Sequence, residues 1–337
     1  MNDIKMMDLL DGAPDNLTIQ DALGKCLQQV RNHEKLMASI SGGWDSDILC
    51  DLIIRCGGAE KTTFVFHNTG LEYEATKQQL RALEKKYGIQ IQINPPVKPI
   101  PLCVREHGVP FWSKYVAEMI ERLQRHGFQW EDEPLEVLLT KYPRCISALK
   151  WWCNEWKMDN GKSGRLNIDW IFGLKEFLIA HPPQFKISAK CCHYAKKAPA
   201  KKFTKSGDFD LECYGVRKAE GGLRATQYSS CFTQALAGPD SYRPLFWFTD
   251  ADKAVYDAHY GIAHSDCYTV WGMKRTGCAG CPFGKDFEEE LALAEKYEPK
   301  FHKAMLKVFG ESYDYTRRFL EFREQLKNNG GRDRSGC

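Results

Sequence analysis

An α/β fold, with a parallel sheet flanked by helices, is what this 337-residue sequence predicts, and three observations carry the prediction. Residues 36–56 read as a short apolar strand, a two-glycine turn and an amphipathic helix in direct succession. Strands and helices then keep alternating to residue 93, and after a long interruption strands resume at residues 211–217 and 244–248. Such alternation calls for right-handed βαβ crossovers, and sheets of this kind bind ligands beyond the carboxyl ends of their strands.

Taken in order, residues 1–35 form a helical lead-in with Leu23, Cys26, Leu27 and Val30 on one face. Residues 37–41 make the first strand, and Ile48, Leu49, Leu52, Ile53 and Cys56 fall at helical spacing behind it. Between them lies Ser41-Gly42-Gly43-Trp44-Asp45-Ser46, where the glycines permit a sharp turn and Asp45 or Ser46 is placed to cap the helix. The positive end of that helix favours an anion. There is no Gly-Lys-Ser/Thr and no third glycine, so neither a Walker loop nor a dinucleotide fingerprint is present.

A second strand at 62–66 ends in His67-Asn68-Thr69-Gly70, before a helix over 72–87 and a third strand at 89–93. The interval of about 96–187 holds Trp112, Trp130, Trp151, Trp152, Trp156 and Trp170; it is too long and apolar for a loop and predicts a helical insertion packing its own aromatics. Thr249 and Asp252 form a capping box for a helix over 253–260, two helices over 287–309 and 313–326 make a helical C-terminal part, and 328–337 reads as a disordered tail. One domain over 1–327 is expected.

The balance of 47 basic and 44 acidic residues, net +3, selects no nucleic-acid partner by itself. No signal-peptide core and no run of 18 apolar residues occurs, which predicts a cytoplasmic protein without a membrane partner. Fourteen cysteines are many for a reducing compartment. Cys26, Cys50, Cys56 and Cys103 lie in apolar segments and read as small buried hydrophobes. Cys191-Cys192 and Cys278-Ala279-Gly280-Cys281 instead supply four thiolates, a set that suits tetrahedral zinc or a 4Fe-4S cluster alike. Beside the first pair runs the strongest charge cluster: Lys190, Lys196, Lys197, Lys201, Lys202 and Lys205. It would favour deprotonated thiols and an anionic substrate, and leaves DNA or RNA open as a partner.

The segment Ser41 to Ser46 resembles the SGGxDS loop of the PP-loop adenine-nucleotide enzymes, which include ATP pyrophosphatases and the phosphoadenylyl-sulfate (PAPS) reductase family. The run Asn68-Thr69-Gly70-Leu71-Glu72-Tyr73-Glu74-Ala75-Thr76 resembles that family's DTGxxxxET segment, with Asn68 in place of the aspartate. Gly215-Val216-Arg217 resembles its Gly-Ile/Val-Arg segment. A Cys-Cys pair, a basic stretch and a CxxC 86 residue steps beyond Cys192 are similar to the iron-sulfur signature of adenylyl-sulfate (APS) reductases, placing metal-binding elements at 190–199 and 275–284.

This resemblance implies a Rossmann-like (HUP/PP-loop) sheet, ATP with Mg2+, and a 4Fe-4S cluster on Cys191, Cys192, Cys278 and Cys281, with zinc as the alternative. It implies that Ser41, Gly42, Gly43 and Ser46 hold phosphates, and that Asp45, Thr69, Gly70, Gly215 and Arg217 also bind the nucleotide. Asp45 would position the magnesium, and Lys190 and Arg217 would neutralise developing charge. The implied activity is cleavage of ATP to AMP and pyrophosphate by adenylating an acceptor, coupled to sulfur transfer from a sulfur donor. Reduction of APS or PAPS to sulfite with a thioredoxin-like reductant is the alternative, and a non-catalytic nucleotide- or nucleic-acid-binding protein is the third. The sulfonucleotide reductases' Glu-Cys-Gly-Leu-His segment is missing; Cys337, in the terminal tail, lacks its flanking residues.

Overall fold

Six strands form one sheet in the order β3-β2-β1-β4-β6-β5 in a computed structural model that describes residues 4–157, 164–221, 226–284 and 286–330. β1 (Leu36–Ser39), β2 (Thr62–His67), β3 (Ile91–Asn94), β4 (Leu211–Tyr214) and β6 (Asp240–Tyr242) run parallel, and only β5 (Phe232–Thr233) pairs antiparallel, at the edge. β1 is central: Ala38 pairs with Phe64 of β2 on one side and Cys213 of β4 on the other. A strand flanked on both sides and covered on both faces is apolar throughout, and Leu36, Met37 and Ala38 are buried accordingly.

The chain divides into two units, the first comprising Met1–Pro99, Tyr194–Ala279 and Lys296–Glu298, the second Ile100–His193, Gly280–Glu295 and Pro299–Cys337. The core of the first joins the sheet to the helices Leu17–Asn32 and Trp44–Arg55 through Leu23, Cys26, Leu27, Leu49, Leu52 and Ile53. Cys26, Cys50 and Cys56 are buried in it as apolar side chains, and in the second unit Cys103 is buried likewise. The second unit is helical, and its aromatics pack edge to face: Trp152 lies 5.3 Å from Phe128 and 5.8 Å from Trp130 between ring centroids. Six tryptophans in one interval therefore serve mostly as core, although Trp170 stays on the surface.

Two sequence expectations are corrected. Residues 244–248 are a turn rather than a strand: Phe246 N–H donates to Arg243 O at 3.0 Å and Phe248 N–H to Leu245 O at 3.0 Å. Pro244 has no N–H to give a ladder, and the buried Leu245, Phe246 and Phe248 fill the core from a turn as readily as from a strand. The C-terminal helices also break elsewhere, Phe287–Tyr297 then Pro299–Asn328, because Pro299 opens a helix and cannot continue one, whereas Gly310 is carried inside the second. Residues 331–337, with most of the expected tail and Cys337, lie outside the described residues. Among those described, no helix is long and apolar enough to cross a membrane.

Leu49, fully buried behind the glycine turn, and Leu17, 83% exposed, give a direct test of where the stability resides. Leu49→Ala should lower unfolding free energy by about 2–5 kcal/mol in chemical denaturation, and Leu17→Ala should stay within about 0.5 kcal/mol.

Candidate functional site

The glycine turn leaves the carboxyl end of β1 and enters the helix Trp44–Arg55 with Gly43 as its N-cap. The hydroxyl of Ser46, at the third helical position, closes the turn: it accepts from Ser41 N–H at 3.2 Å and Gly43 N–H at 3.1 Å, and donates to Gly43 O at 2.7 Å. Ser41 Oγ donates to Ser46 Oγ at 3.2 Å. Gly42 has φ +66°, and a Cβ there would sit 2.9 Å from Thr76 Cγ2, so this turn requires glycine for both conformation and space. The first helical N–H groups, including those of Trp44 and Asp45, have no acceptor within the helix.

From β4, Gly215 passes so close to this first turn that a Cβ would lie 3.0 Å from Asp45 O. That close approach delivers Arg217 beside Asp45, with Arg217 Nε 3.0 Å from Asp45 Oδ1. Lys253, on the helix Asp250–Tyr260, reaches the same oxygen at 2.9 Å, and Arg217 Nη2 also meets Asp250 Oδ1 at 3.0 Å. Arg217 and Lys253 are both buried, which is unusual for cations and costly without carboxylate partners. Arg217 Nε and Asp45 Oδ1 attract by proximity but are not aligned, and neither makes a hydrogen bond. These groups line a cleft of about 270 Å³ with Ser39, Ser41, Tyr214, Tyr268, Lys274, Arg275 and Thr276. Four cations, Arg217, Lys253, Lys274 and Arg275, face two carboxylates there, Asp45 and Glu220, so the cleft attracts anions.

Trp44 props the turn from beneath. Its ring lies under Lys253 Nζ at 4.8 Å, packs on His264 at 4.4 Å between centroids, and donates from Nε1 to Asp257 Oδ2 at 2.6 Å. His264 spans two carboxylates, Nδ1 to Asp47 Oδ2 at 2.9 Å and Nε2 to Asp257 Oδ1 at 3.1 Å. Burial alone would lower the His264 pKa, but Asp257 and Asp47 outweigh it and raise it to about 9. Burial raises Asp47 to about 6, against the pull of His264 and of Gln79 Nε2, which donates to it at 2.9 Å.

The structure thus gathers Ser41, Gly42, Gly43, Asp45, Ser46, Gly215 and Arg217 at one cleft or on its immediate supports. Thr69 and Gly70 are engaged elsewhere in the same unit: Thr69 Oγ1 donates to Glu72 Oε1 at 2.6 Å, and Gly70 N–H to Asn68 Oδ1 at 2.8 Å. Lys190 belongs to the second unit, where its Nζ meets Glu121 Oε1 at 2.8 Å. Burial works against the Glu121 charge, yet Lys190, Arg125 and Ser188 hold its pKa below the usual carboxylate range. Sequence reasoning missed Lys253, Asp250, Trp44 and the His264 pair. The available signal was position: Asp250 and Lys253 open the first helix after β6, beyond the carboxyl end of a parallel strand, where this fold class gathers ligand groups.

Of the four thiols, Cys278 falls in the first unit and Cys191, Cys192 and Cys281 in the second. Among the described residues no three His, Cys, Asp or Glu side chains converge as around a metal ion. The turn between Cys278 and Cys281 nonetheless depends on Gly280, at φ +60°, where a Cβ would strike Met305 and Tyr313.

The raised pKa of His264 fixes a pH dependence. A folded value above the ordinary 6.5 or so means that the charged ring stabilises fully below about pH 6.5, and that this contribution is lost as pH rises through about 9. Against His264→Gln, wild type should be about 2–3 kcal/mol more stable at pH 7 and lose that margin by pH 10, as read by denaturation at each pH.

No curated protein matches the chain. Among solved structures, PAPS reductase from Candida auris in its phosphate complex is 13% identical with a TM-score of 0.41, covering 81% of this chain and 93% of that one. An NH3-dependent NAD synthetase from Campylobacter jejuni is 10% identical at TM-score 0.33, covering 98% of each chain. A tRNA thiolase from Methanococcus maripaludis with its 4Fe-4S cluster is 13% identical at TM-score 0.35, covering 94% of this chain and 86% of that one. Residues 35–125, which run from β1 through the glycine turn and past β3, match the family model described as the phosphoadenosine phosphosulfate reductase domain.

Proposed function

We propose that the chain is an adenine-nucleotide enzyme that binds ATP at the turn Ser41 to Ser46, cleaves it to AMP and pyrophosphate by adenylating an acceptor, and serves sulfur transfer. The observation that supports this most is the pair of buried cations, Arg217 and Lys253, meeting at a helix N-terminus beside a turn that only glycine can make. A polyphosphate there meets the positive end of the helix Trp44–Arg55, the hydroxyl of Ser41 and two cations already desolvated. Arg217 Nε, buried and without a hydrogen bond, is a donor that a phosphate oxygen satisfies.

In this reading Arg217 and Lys253 leave Asp45 for the incoming phosphates, and neutralise charge as it shifts toward the pyrophosphate leaving group. Asp45, released, is the residue that would hold the magnesium accompanying ATP; one carboxylate plus substrate phosphates is a usual set for that ion, which supplies further charge neutralisation. Lys190 and the cysteines belong to the proposal through sequence pattern. A 4Fe-4S cluster on Cys191, Cys192, Cys278 and Cys281, with zinc second, is supported by their spacing and by the turn that Gly280 permits. No chemical step is assigned to it. The second reading, reduction of APS or PAPS to sulfite, is favoured by the domain match over residues 35–125.

Full-length protein purified without oxygen and given ATP, Mg2+ and candidate sulfur acceptors should release AMP and pyrophosphate. Arg217→Gln should lower kcat/KM about 100-fold, with unchanged circular dichroism. Sulfite from PAPS without ATP cleavage would establish the second reading, and nucleotide binding without any product would sink both. Iron and acid-labile sulfide analysis of the same preparation should fall to background in Cys278→Ser/Cys281→Ser, and zinc in their place would remove the cluster from the proposal.

A further inference from the structure

The helix Ala198–Ser206 presents a surface that nucleotide chemistry leaves unused. Lys196, Lys197, Lys201, Lys202 and Lys205 fall within ten residues that contain no Asp or Glu, and all five are exposed. Lys197, Lys201 and Lys205 recur every fourth residue, which sets them on one side of the helix about 6 Å apart along its axis. Other positions of the helix are fastened to the sheet. Asn94 Nδ2 donates to Pro199 O at 3.1 Å, Thr204 Oγ1 donates to the carboxylate of Glu212, and Phe203 meets His67 edge-on at 6.2 Å between centroids. Burial, with a smaller effect of Lys196, lowers the His67 pKa to about 4, so the ring stays neutral beneath the helix at physiological pH.

A lysine face is commonly balanced by acids, and elsewhere this surface follows that habit. Lys25 meets Asp21 at 2.7 Å, Arg122 meets Glu118 at 2.5 Å and Arg125 meets Glu121 at 2.7 Å. Among the described residues Lys197, Lys201, Lys202 and Lys205 take part in no ion pair; the first acid beyond the run, Asp208, lies 3.6 Å from Lys35 instead. Like charges four residues apart destabilise a helix, so the sequence tolerates a local cost here. The run begins in a π-helical turn, His193–Lys197, a rare conformation that is frequent at functional sites.

We infer that this lysine face binds the phosphate backbone of a nucleic-acid duplex without reading its sequence. Lysine is a point charge with no acceptor, suited to phosphates rather than to base edges. The face carries no exposed aromatic on which the bases of a single strand would stack, because Phe203 packs toward His67 and Phe209. It carries no large apolar side chain of the kind that enters a membrane surface. The inference is independent of the nucleotide reading, since none of these lysines lines the cleft.

The test is fluorescence anisotropy of labelled 20-base-pair DNA and RNA duplexes with the full-length protein across a salt series. Wild type should bind both duplexes, with log K falling linearly in log salt. Lys197→Gln/Lys201→Gln/Lys205→Gln should reduce the steepness by about two to three and weaken low-salt binding about tenfold or more. The matching triple Arg variant should bind like wild type, and ATP binding by the Gln variant should be unchanged, which separates this surface from the cleft. Unchanged duplex binding by the Gln variant, no binding by wild type at low salt, or tighter binding of the separated single strands would each overturn the inference.

Discussion

Two cations buried at the carboxyl end of a parallel sheet are the constraint around which the first unit is arranged. Arg217 and Lys253 share one oxygen of Asp45, at 3.0 and 2.9 Å. Leaving either buried without a carboxylate costs about 3–5 kcal/mol, more than a surface ion pair ever returns. That cost forces Asp45 to its place at the start of the helix Trp44–Arg55, which in turn requires the tight passage of Gly215 and the closed turn around Ser46. The pairing is incomplete even so, since Arg217 Nε and Asp45 Oδ1 are buried without a hydrogen bond.

The layer beneath carries the same logic inward. Trp44 is wedged between Lys253 and His264, and the His264 ring lies between Asp47 and Asp257. Charge therefore alternates from the cleft to the core: Asp45, Lys253, the Trp44 ring face, the charged imidazole, then two carboxylates. Such a stack resists displacement of the turn because moving one member exposes its neighbours unpaired. Tyr268 and Thr276 close the other side; their oxygens lie 3.1 and 3.3 Å from where a Cβ on Gly43 would stand.

How much of this was legible in the sequence follows from which interactions are local. The strand, glycine turn and helix at residues 36–56 are specified by neighbours in sequence, and β1 and the helix appear where periodicity puts them. Thr249 and Asp252 cap the helix Asp250–Tyr260 for the same reason. Lys253 is different. Its role is set by Asp45, some two hundred positions earlier, and a lone lysine on a helix carries no local mark of a buried partner. The turn at residues 244–248 failed to show because burial, not backbone conformation, is what an apolar run reports.

The cysteines and lysines show the converse, a strong sequence pattern whose geometry must be judged separately. Four thiols at cluster-like spacing are a statement about chemistry, and it becomes one about structure only when their sulfurs converge. The lysines of Ala198–Ser206 need no convergence. A helix converts a spacing of four into a straight row of charges by its own geometry, and tethering through Pro199, Phe203 and Thr204 turns that row outward. Regular secondary structure is enough to build a surface for a repeating polyanion, whereas a metal site or a cleft needs tertiary contacts that sequence spacing alone does not specify.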